Sequence, residues 1–567
     1  MPISEAFPTQ EDQESTDRLI QTLRDQGLFE SEEESRRREI VLGKLDKMVK
    51  EFVYVISLRR NHPESVAREA GGKIFTFGTD IDTLCVVPKH VQREDFFEEM
   101  HEMLRRRPEV TELTAVPDAF TPVIKMKFSD ISIDFTFARL GLSSIPDSLD
   151  LADDNLLRNL DDRCIRSING SRMTDEILRL VPNIPTFRMV LRCVKLWAHR
   201  RAIYSNMMGF LGGVAWAMLV ARVCQLYPNA CAATIISRFF SILHKWQWPQ
   251  PVLLKPIEEG PLHVRVWNPK LYPADKAHKM PIITPVYPSM CSTHNVTDST
   301  KAVMLSEFKD AAELVNRIMV ERVPWSDLFV KDDFFTRYRH YLQVIASSDS
   351  EERHLRWSGF VESRIRHLVG KLERVENLVL AHPYIKGYSK VIQYNTATEK
   401  DNAAHGIANP HPTEPADLAG DDAELKTMYI STYYIGLCIP QREAGSTGPR
   451  KMDLVRPKDE FIEMMKSWDK YDNESMAIVI KHIRSAALPS EVLEDVELKK
   501  TKRPRSAKKA AASDTRATKK RRGSVGQNGA LSDATSALPA DHPSIDVLPS
   551  LIKNDVPAAA ATAVPQS

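Results

Sequence analysis

The chain has 567 residues, 43% apolar and 27% charged, with a formal net charge of +1. That length suggests about three domains at the usual ~150 residues each, with enough apolar content for sizeable soluble cores. The sequence has no run of about 18 apolar residues, which argues against a membrane-spanning helix. The acidic opening MPISEAFPTQEDQE has no apolar h-region and reads as lacking a secretory signal. The seven cysteines are scattered and never in CxxC spacing, the pattern of reduced thiols in the cytosol or nucleus and not of a zinc site.

Two helices are expected first. The second opens on Ser31 and Glu34 in capping-box spacing and carries Val41, Leu45, Met48, Phe52 and Ile56 on one stripe. Strand-like runs follow at Lys73–Phe77 and Ile81–Val87, then a helix at Arg93–Arg105 and strands at Thr121–Lys127 and Ile131–Phe137. The mix predicts a sheet flanked by helices. From Thr186 to Leu243 the period turns helical: Val190, Val194 and Trp197 share a stripe, and GGVAWAMLVARVCQLY reads as a buried helix. Pro-rich connections fill Trp248–Pro288. A third unit is predicted from helix Phe360–Leu372, strands Leu378–Ala381, Thr427–Leu437 and Lys451–Val455, helix Lys458–Trp468 and strand Met476–Ile483. That alternation suits an RRM-like sandwich without the RNP1 aromatic signature. Ala397–Glu424, rich in Pro, Asn, Asp and Ala, reads as a surface loop.

The expected organisation is α+β and multidomain: a catalytic domain over 1–183, a helical domain over 184–340, an RRM-like domain over 341–497 and a disordered basic tail over 498–567. Between Lys499 and Arg522 twelve Lys/Arg face one acid, so the rest of the chain is net acidic. The two clusters, Lys499–Lys509 and Lys519–Arg522, have the spacing of a bipartite nuclear import signal and would also give salt-sensitive RNA affinity.

The chemistry points to three acids. Period-two alternation sets Asp80 and Asp82 on one face of a strand, about 7 Å apart. In KFSDISIDFTF, Ile131, Ile133 and Phe135 would face the core, with Asp130, Ser132 and Asp134 on the other side. Two acids on one strand read equally as a solvated edge; a third on its own strand favours a metal site. Three carboxylates can surround two Mg²⁺ ions, which suits in-line displacement at phosphorus.

Several motifs then share one resemblance. Asp80-Ile-Asp-Thr-Leu-Cys-Val-Val-Pro-Lys-His, Ser132-Ile-Asp-Phe-Thr-Phe-Ala-Arg-Leu, Asn169-Gly-Ser-Arg-Met-Thr-Asp-Glu-Ile-Leu, Lys195-Leu-Trp-Ala, Gly209-Phe-Leu-Gly-Gly-Val-Ala-Trp-Ala, Trp267-Asn-Pro-Lys and Pro285-Val-Tyr-Pro-Ser-Met-Cys closely resemble the nuclear, template-independent poly(A) polymerases of fungal type, over roughly Phe7 to Glu494. The resemblance implies a polymerase-beta-like palm and AMP transfer from ATP to an RNA 3′ end with two Mg²⁺ or Mn²⁺ ions. It further implies a nuclear location and recruitment by the pre-mRNA cleavage and polyadenylation machinery. It makes Asp80, Asp82 and Asp134 the catalytic metal triad, with Asp134 also placed to take the proton of the RNA 3′-hydroxyl. The nucleotide contacts it implies are Phe77, Gly78, Asp80, Ile81, Asp82, Asp134, Lys195, Tyr204, Asn206, Gly213 and Val214; Phe120 and Lys125 match positions beside the RNA 3′ end.

The resemblance breaks at one point. Family members carry Phe-x-x-Gly-Ser and roughly ten residues of turn and glycine-rich loop before Asp-x-Asp, whereas Gly78 is followed by Thr79 and at once by Asp80. The missing residues hold triphosphate through a hydroxyl and backbone N–H groups. Gly71-Gly72 stands before the strand and is no replacement. A two-residue Gly-Thr hairpin, Gly first, is expected to join the strands. The expected consequence is a weakened grip on the nucleotide; the alternative is a catalytically dead RNA-binding component of a 3′-end-processing complex.

Overall fold

The computed structural model describes residues 1–77, 81–117, 119, 121–258, 260, 264–407, 426–440 and 452–493. The basic tail and the residues Gly78, Thr79, Asp80 and Phe120 lie outside these, as do the side chains of Phe77 and Ile81. No helix among the described residues is long and apolar enough to cross a membrane. All seven cysteines are free thiols.

The first sheet contains β1 (Lys73–Phe77), β2 (Ile81–Val87), β3 (Val110–Val116), β4 (Val123–Phe128) and β5 (Ile131–Arg139), in the order β1-β2-β5-β4-β3. Helix Glu32–Arg59 covers one side. Ser31 and Glu34 form the reciprocal cap, with Ser31 N–H donating to Glu34 Oε2 at 2.7 Å, and Val41, Leu45, Met48, Phe52 and Ile56 are all buried. Strand β3 had no sequence signal: its exposures do not alternate, and Glu112 at φ 51° breaks the register between Thr111 and Thr114. The β4–β5 turn is Ser129-Asp130, both at positive φ, so Asp130 sits in the turn and not on the strand face with Asp134.

Strands β1 and β2 are antiparallel, as expected of a hairpin, but the register corrects the predicted turn. Phe77 stands opposite Asp82, which leaves residues 78–81 between them, whereas a two-residue Gly-Thr loop would set Phe77 opposite Asp80. Gly71-Gly72 has a packing role. A Cβ on Gly72 would lie 2.8 Å from Val49 Cγ1, and Gly71, at φ +60°, comes equally close to the Ile145 carbonyl.

The middle body is helical, built on Ile184–Arg200, Gly213–Leu226, Ala232–Leu243 and Asp298–Met319, around Trp197, Trp216, Phe239, Phe240 and Phe308. The N-terminal helix Gln10–Asp25 joins this core through Leu19 and Leu23. Arg172 ties the body to the first domain: Nη1 donates to the Tyr287 carbonyl at 2.8 Å, and Nη2 bonds Asp154.

The third unit comprises β6 (His340–Ser348), helix Glu351–Leu372, β7 (Leu380–Pro383), β8 (Tyr388–Tyr394), β9 (Lys426–Cys438), helix Val455–Lys466 and β10 (Met476–Arg484). Its order β10-β6-β9-β7, with β8 also on β9, is that of an RRM-like sandwich. Its sheet face is covered by the chain itself: Phe334, Phe335 and Tyr338 from one side and Leu488 and Val492 from the other pack on Tyr341 and Tyr434. Two expectations fail. Of the predicted strand Lys451–Val455, the described part is not a strand: Asp453 Oδ1 accepts from Val455 N–H at 2.9 Å and starts helix Val455–Lys466. The predicted loop Ala397–Glu424 begins as a helix, Ala397–Ala404, capped by Thr396 and Glu399; 408–425 lie outside the described residues.

Candidate active site

The described residues bring the expected site side chains together in two groups. The first stands on the open face of the first sheet. Strands β2 and β5 are parallel with Asp82 in register with Asp134, and antiparallel β4 sets Lys125 opposite Asp134. Alternation buries Ile133 and Phe135 and turns Asp134 out. Lys125 Nζ donates to Asp134 Oδ2 at 2.7 Å, with both side chains about half exposed. Two carboxylates on neighbouring strands about 4.8 Å apart, one already facing an ammonium, suit a divalent cation, which prefers hard oxygen ligands. Among the described residues no three His, Cys, Asp or Glu converge. A triad therefore needs Asp80, which lies outside them.

The second group stands in the middle body, where Lys195 lies in helix Ile184–Arg200 and Gly213 opens helix Gly213–Leu226. Gly212 is its N-cap and supplies no side-chain cap. The first N–H groups of a helix have no partner within it and carry the positive end of its dipole, which favours an anion. Tyr204 reaches the same place: a Cβ built on Gly213 would stand 2.6 Å from the Tyr204 hydroxyl and 3.8 Å from Lys195 Nζ. A Cβ on Gly212 would stand 3.2 Å from Asn206 Cβ. The segment between is held by a backbone bridge from Tyr204 to Leu211, and Asn295 Nδ2 donates to the Asn206 carbonyl at 3.1 Å. Val214, next along the helix, is 37% exposed.

Thus Lys195, Tyr204, Asn206, Gly213 and Val214 come together, as do Asp82, Asp134 and Lys125. One neighbour went unnoticed in the sequence: His199, whose ring lies on that of Tyr204 with centroids 3.9 Å apart and planes at 21°. Its one available signal was its position four residues after Lys195 on the same helix.

The comparisons with known proteins cover the whole of this architecture. The poly(A) polymerase nucleotidyltransferase domain matches residues 1–181, the poly(A) polymerase central domain 186–331 and the poly(A) polymerase predicted RNA binding domain 333–502. The chain belongs to the poly(A) polymerase family. Poly(A) polymerase pla1 of Schizosaccharomyces pombe is 48% identical over 547 residues, covering 91% of this chain and 96% of its own. Poly(A) polymerase PAPalpha of Candida albicans is 47% identical over 534 residues, covering 90% and 95%. Cid1, an RNA terminal uridylyl transferase of known structure, overlaps 57% of this chain and 99% of its own at 16% identity and a TM-score of 0.38.

Within a family polymerase the Gly213 contact makes a direct prediction. A valine there would drive Cβ against the Tyr204 hydroxyl and crowd the open helix start. Gly213→Val should raise the KM for ATP roughly ten- to hundredfold. Steady-state kinetics with ATP varied, beside a melting curve showing an intact fold, checks it; an unchanged KM would remove Gly213 from the nucleotide site.

Proposed function

We propose that the protein is a polynucleotide adenylyltransferase that adds AMP from ATP, without a template, to the 3′ end of RNA. The observation that carries this is the Asp82–Asp134 pair on one register, in a chain that resembles poly(A) polymerases along nearly its full length. In the reaction the RNA 3′-oxygen bonds to the α-phosphorus of ATP, the α–β phosphoanhydride breaks, and pyrophosphate leaves. Lys195, the Tyr204 hydroxyl and the N–H groups at Gly213–Val214 hold the triphosphate, and Asn206 lies by the sugar or base. Phe77, Gly78 and Ile81 complete the nucleotide contacts, and Phe120 and Lys125 flank the RNA 3′ end. Asp134 takes the proton of the attacking hydroxyl. Asp80, Asp82 and Asp134 would hold two Mg²⁺ or Mn²⁺ ions, which when bound stabilise charge on the attacking and leaving oxygens. Lys125 then gives up its bond to Asp134 and turns to the RNA backbone.

The test is extension of a labelled oligo(A) primer with each of the four ribonucleoside triphosphates in turn. Extension with ATP well above the others supports the reading, and no preference among the four overturns it. The alternative, a catalytically dead component of a 3′-end-processing complex, rests only on the shortened segment before Asp80, and the comparisons give it no support.

The protein is further proposed to act in the nucleus, in contact with the pre-mRNA cleavage and polyadenylation machinery. Support for the location comes from the basic clusters Lys499–Lys509 and Lys519–Arg522. A fluorescent protein fused to residues 498–567 should accumulate in nuclei and lose that accumulation when residues 519–522 become alanine. Equal nuclear and cytoplasmic signal in the unaltered fusion removes the tail as an import signal.

A further inference from the structure

We propose that His199 is a positioning residue of the nucleotide site, acting through the ring of Tyr204. This rests on the assignment of Lys195, Tyr204 and Gly213 to ATP. His199 lies four residues after Lys195 on helix Ile184–Arg200, so the two share a face. The helix then ends in a tight reversal. Ala202 adopts φ 55°, its N–H donates to the His199 carbonyl at 3.2 Å, and the Ile203 N–H reaches the Ala198 carbonyl at 3.0 Å. This left-handed stop returns the chain over the helix it has just left, with Ile203 fully buried as an anchor. The Tyr204 ring then lies on the His199 imidazole, 3.9 Å between centroids and 21° from parallel.

The Tyr204 side chain has only two rotatable bonds ahead of its hydroxyl, so the position of its backbone and the support of its ring together place that hydroxyl. The backbone bridge to Leu211 holds one end. The start of helix Gly213–Leu226 meets the other, where a Cβ on Gly213 would stand 2.6 Å from the hydroxyl. The imidazole supports the face of the ring. His199 itself is exposed, so removing it opens no cavity, and a loss of function on removal reads as lost orientation and not as lost folding. His199 is therefore not a group that touches ATP; it fixes the angle at which the Tyr204 hydroxyl meets the phosphates.

Aromatic stacks of this kind support roughly a three- to tenfold effect. The experiment is steady-state primer extension with ATP varied, on His199→Ala, His199→Phe, Tyr204→Phe and the His199→Ala/Tyr204→Phe double variant, with Lys195→Ala as reference. His199→Ala should raise the KM for ATP by about three- to tenfold, with kcat within about twofold and the melting temperature unchanged. His199→Phe, which keeps a flat ring, should restore the KM. In the Tyr204→Phe background, His199→Ala should add nothing, because the hydroxyl it orients is gone. An unchanged KM in His199→Ala, a His199→Phe as poor as His199→Ala, or additive effects with Tyr204→Phe each overturn the proposal. If Lys195→Ala and Tyr204→Phe also leave the KM for ATP unchanged, the underlying site assignment has failed, and His199 falls with it.

Discussion

Asp134→Ala is expected to lower the single-turnover rate of oligo(A) extension by about a thousandfold or more, with little change in melting temperature. Removing one preorganised donor from an oxyanion hole costs about 10²–10³ in rate. Asp134 is proposed to carry two duties, a cation and the proton of the attacking hydroxyl, so its loss should cost at least as much. Stability should not follow, because the side chain is about half exposed and its bond is to an equally exposed lysine. Such an ion pair is worth about 0–1 kcal/mol. The strand is held instead by Ile133 and Phe135, buried on its other face. Asp134→Asn separates the two duties from shape, since it keeps the side-chain outline while losing charge and basicity, and it should be nearly as slow. Asp82→Ala should be comparably slow, because Asp82 shares the register of Asp134 across β2 and β5. A variant at either position within tenfold of the parent would mean that the chemistry lies elsewhere.

Lengthening the β1–β2 connection should have the opposite sign. Inserting between Gly78 and Thr79 the segment of about ten residues, with its Gly-Ser, that poly(A) polymerases carry there should raise kcat/KM for ATP roughly 10²–10³-fold. The strands flanking the connection are already paired, Phe77 opposite Asp82, with residues 78–81 between. The resemblance assigns to the longer segment a hydroxyl and a run of backbone N–H groups of the kind that cradle a phosphate. In the proposed reading, Lys195 and the start of helix Gly213–Leu226 would then have to hold the triphosphate without help from this connection. The insertion leaves the register of β1 on β2 and of β2 on β5 untouched, so the parent chain and the lengthened one should melt alike. Equal kcat/KM in the two chains would show that the middle-body contacts suffice and that the short connection costs the reaction nothing.

Much of this protein could be read from local sequence, because the relevant forces act over a few residues. Helix Glu32–Arg59 begins at its own capping box and shows its stripe every third or fourth position. Strand β5 declares itself by alternation, and with it the side on which Asp134 stands. Likewise the carboxylates Asp80, Asp82 and Asp134 were legible as a candidate metal site from strand alternation, whereas Lys195 and Gly213 stood out only through the resemblance. Strand β6 was not, since nearly every residue from Tyr341 to Ser348 is buried and no alternation survives. Residues 397–404 looked like loop by composition, yet Thr396 and Glu399 cap a helix that packs on the third unit.

Only the tertiary structure decided the pairings that make the site. Lys125 meets Asp134 through the register of β4 on β5, and Asp82 meets Asp134 through a parallel pairing of strands more than forty residues apart. The N-terminal helix could have packed on either neighbouring domain, and Leu19 and Leu23 place it in the middle body. His199 lies on Tyr204 because Ala202 takes a left-handed turn that no residue preference announces. Local propensity selects the elements, but contacts between distant segments depend on which faces the whole chain leaves to be buried together, and that is settled only when all of them pack at once.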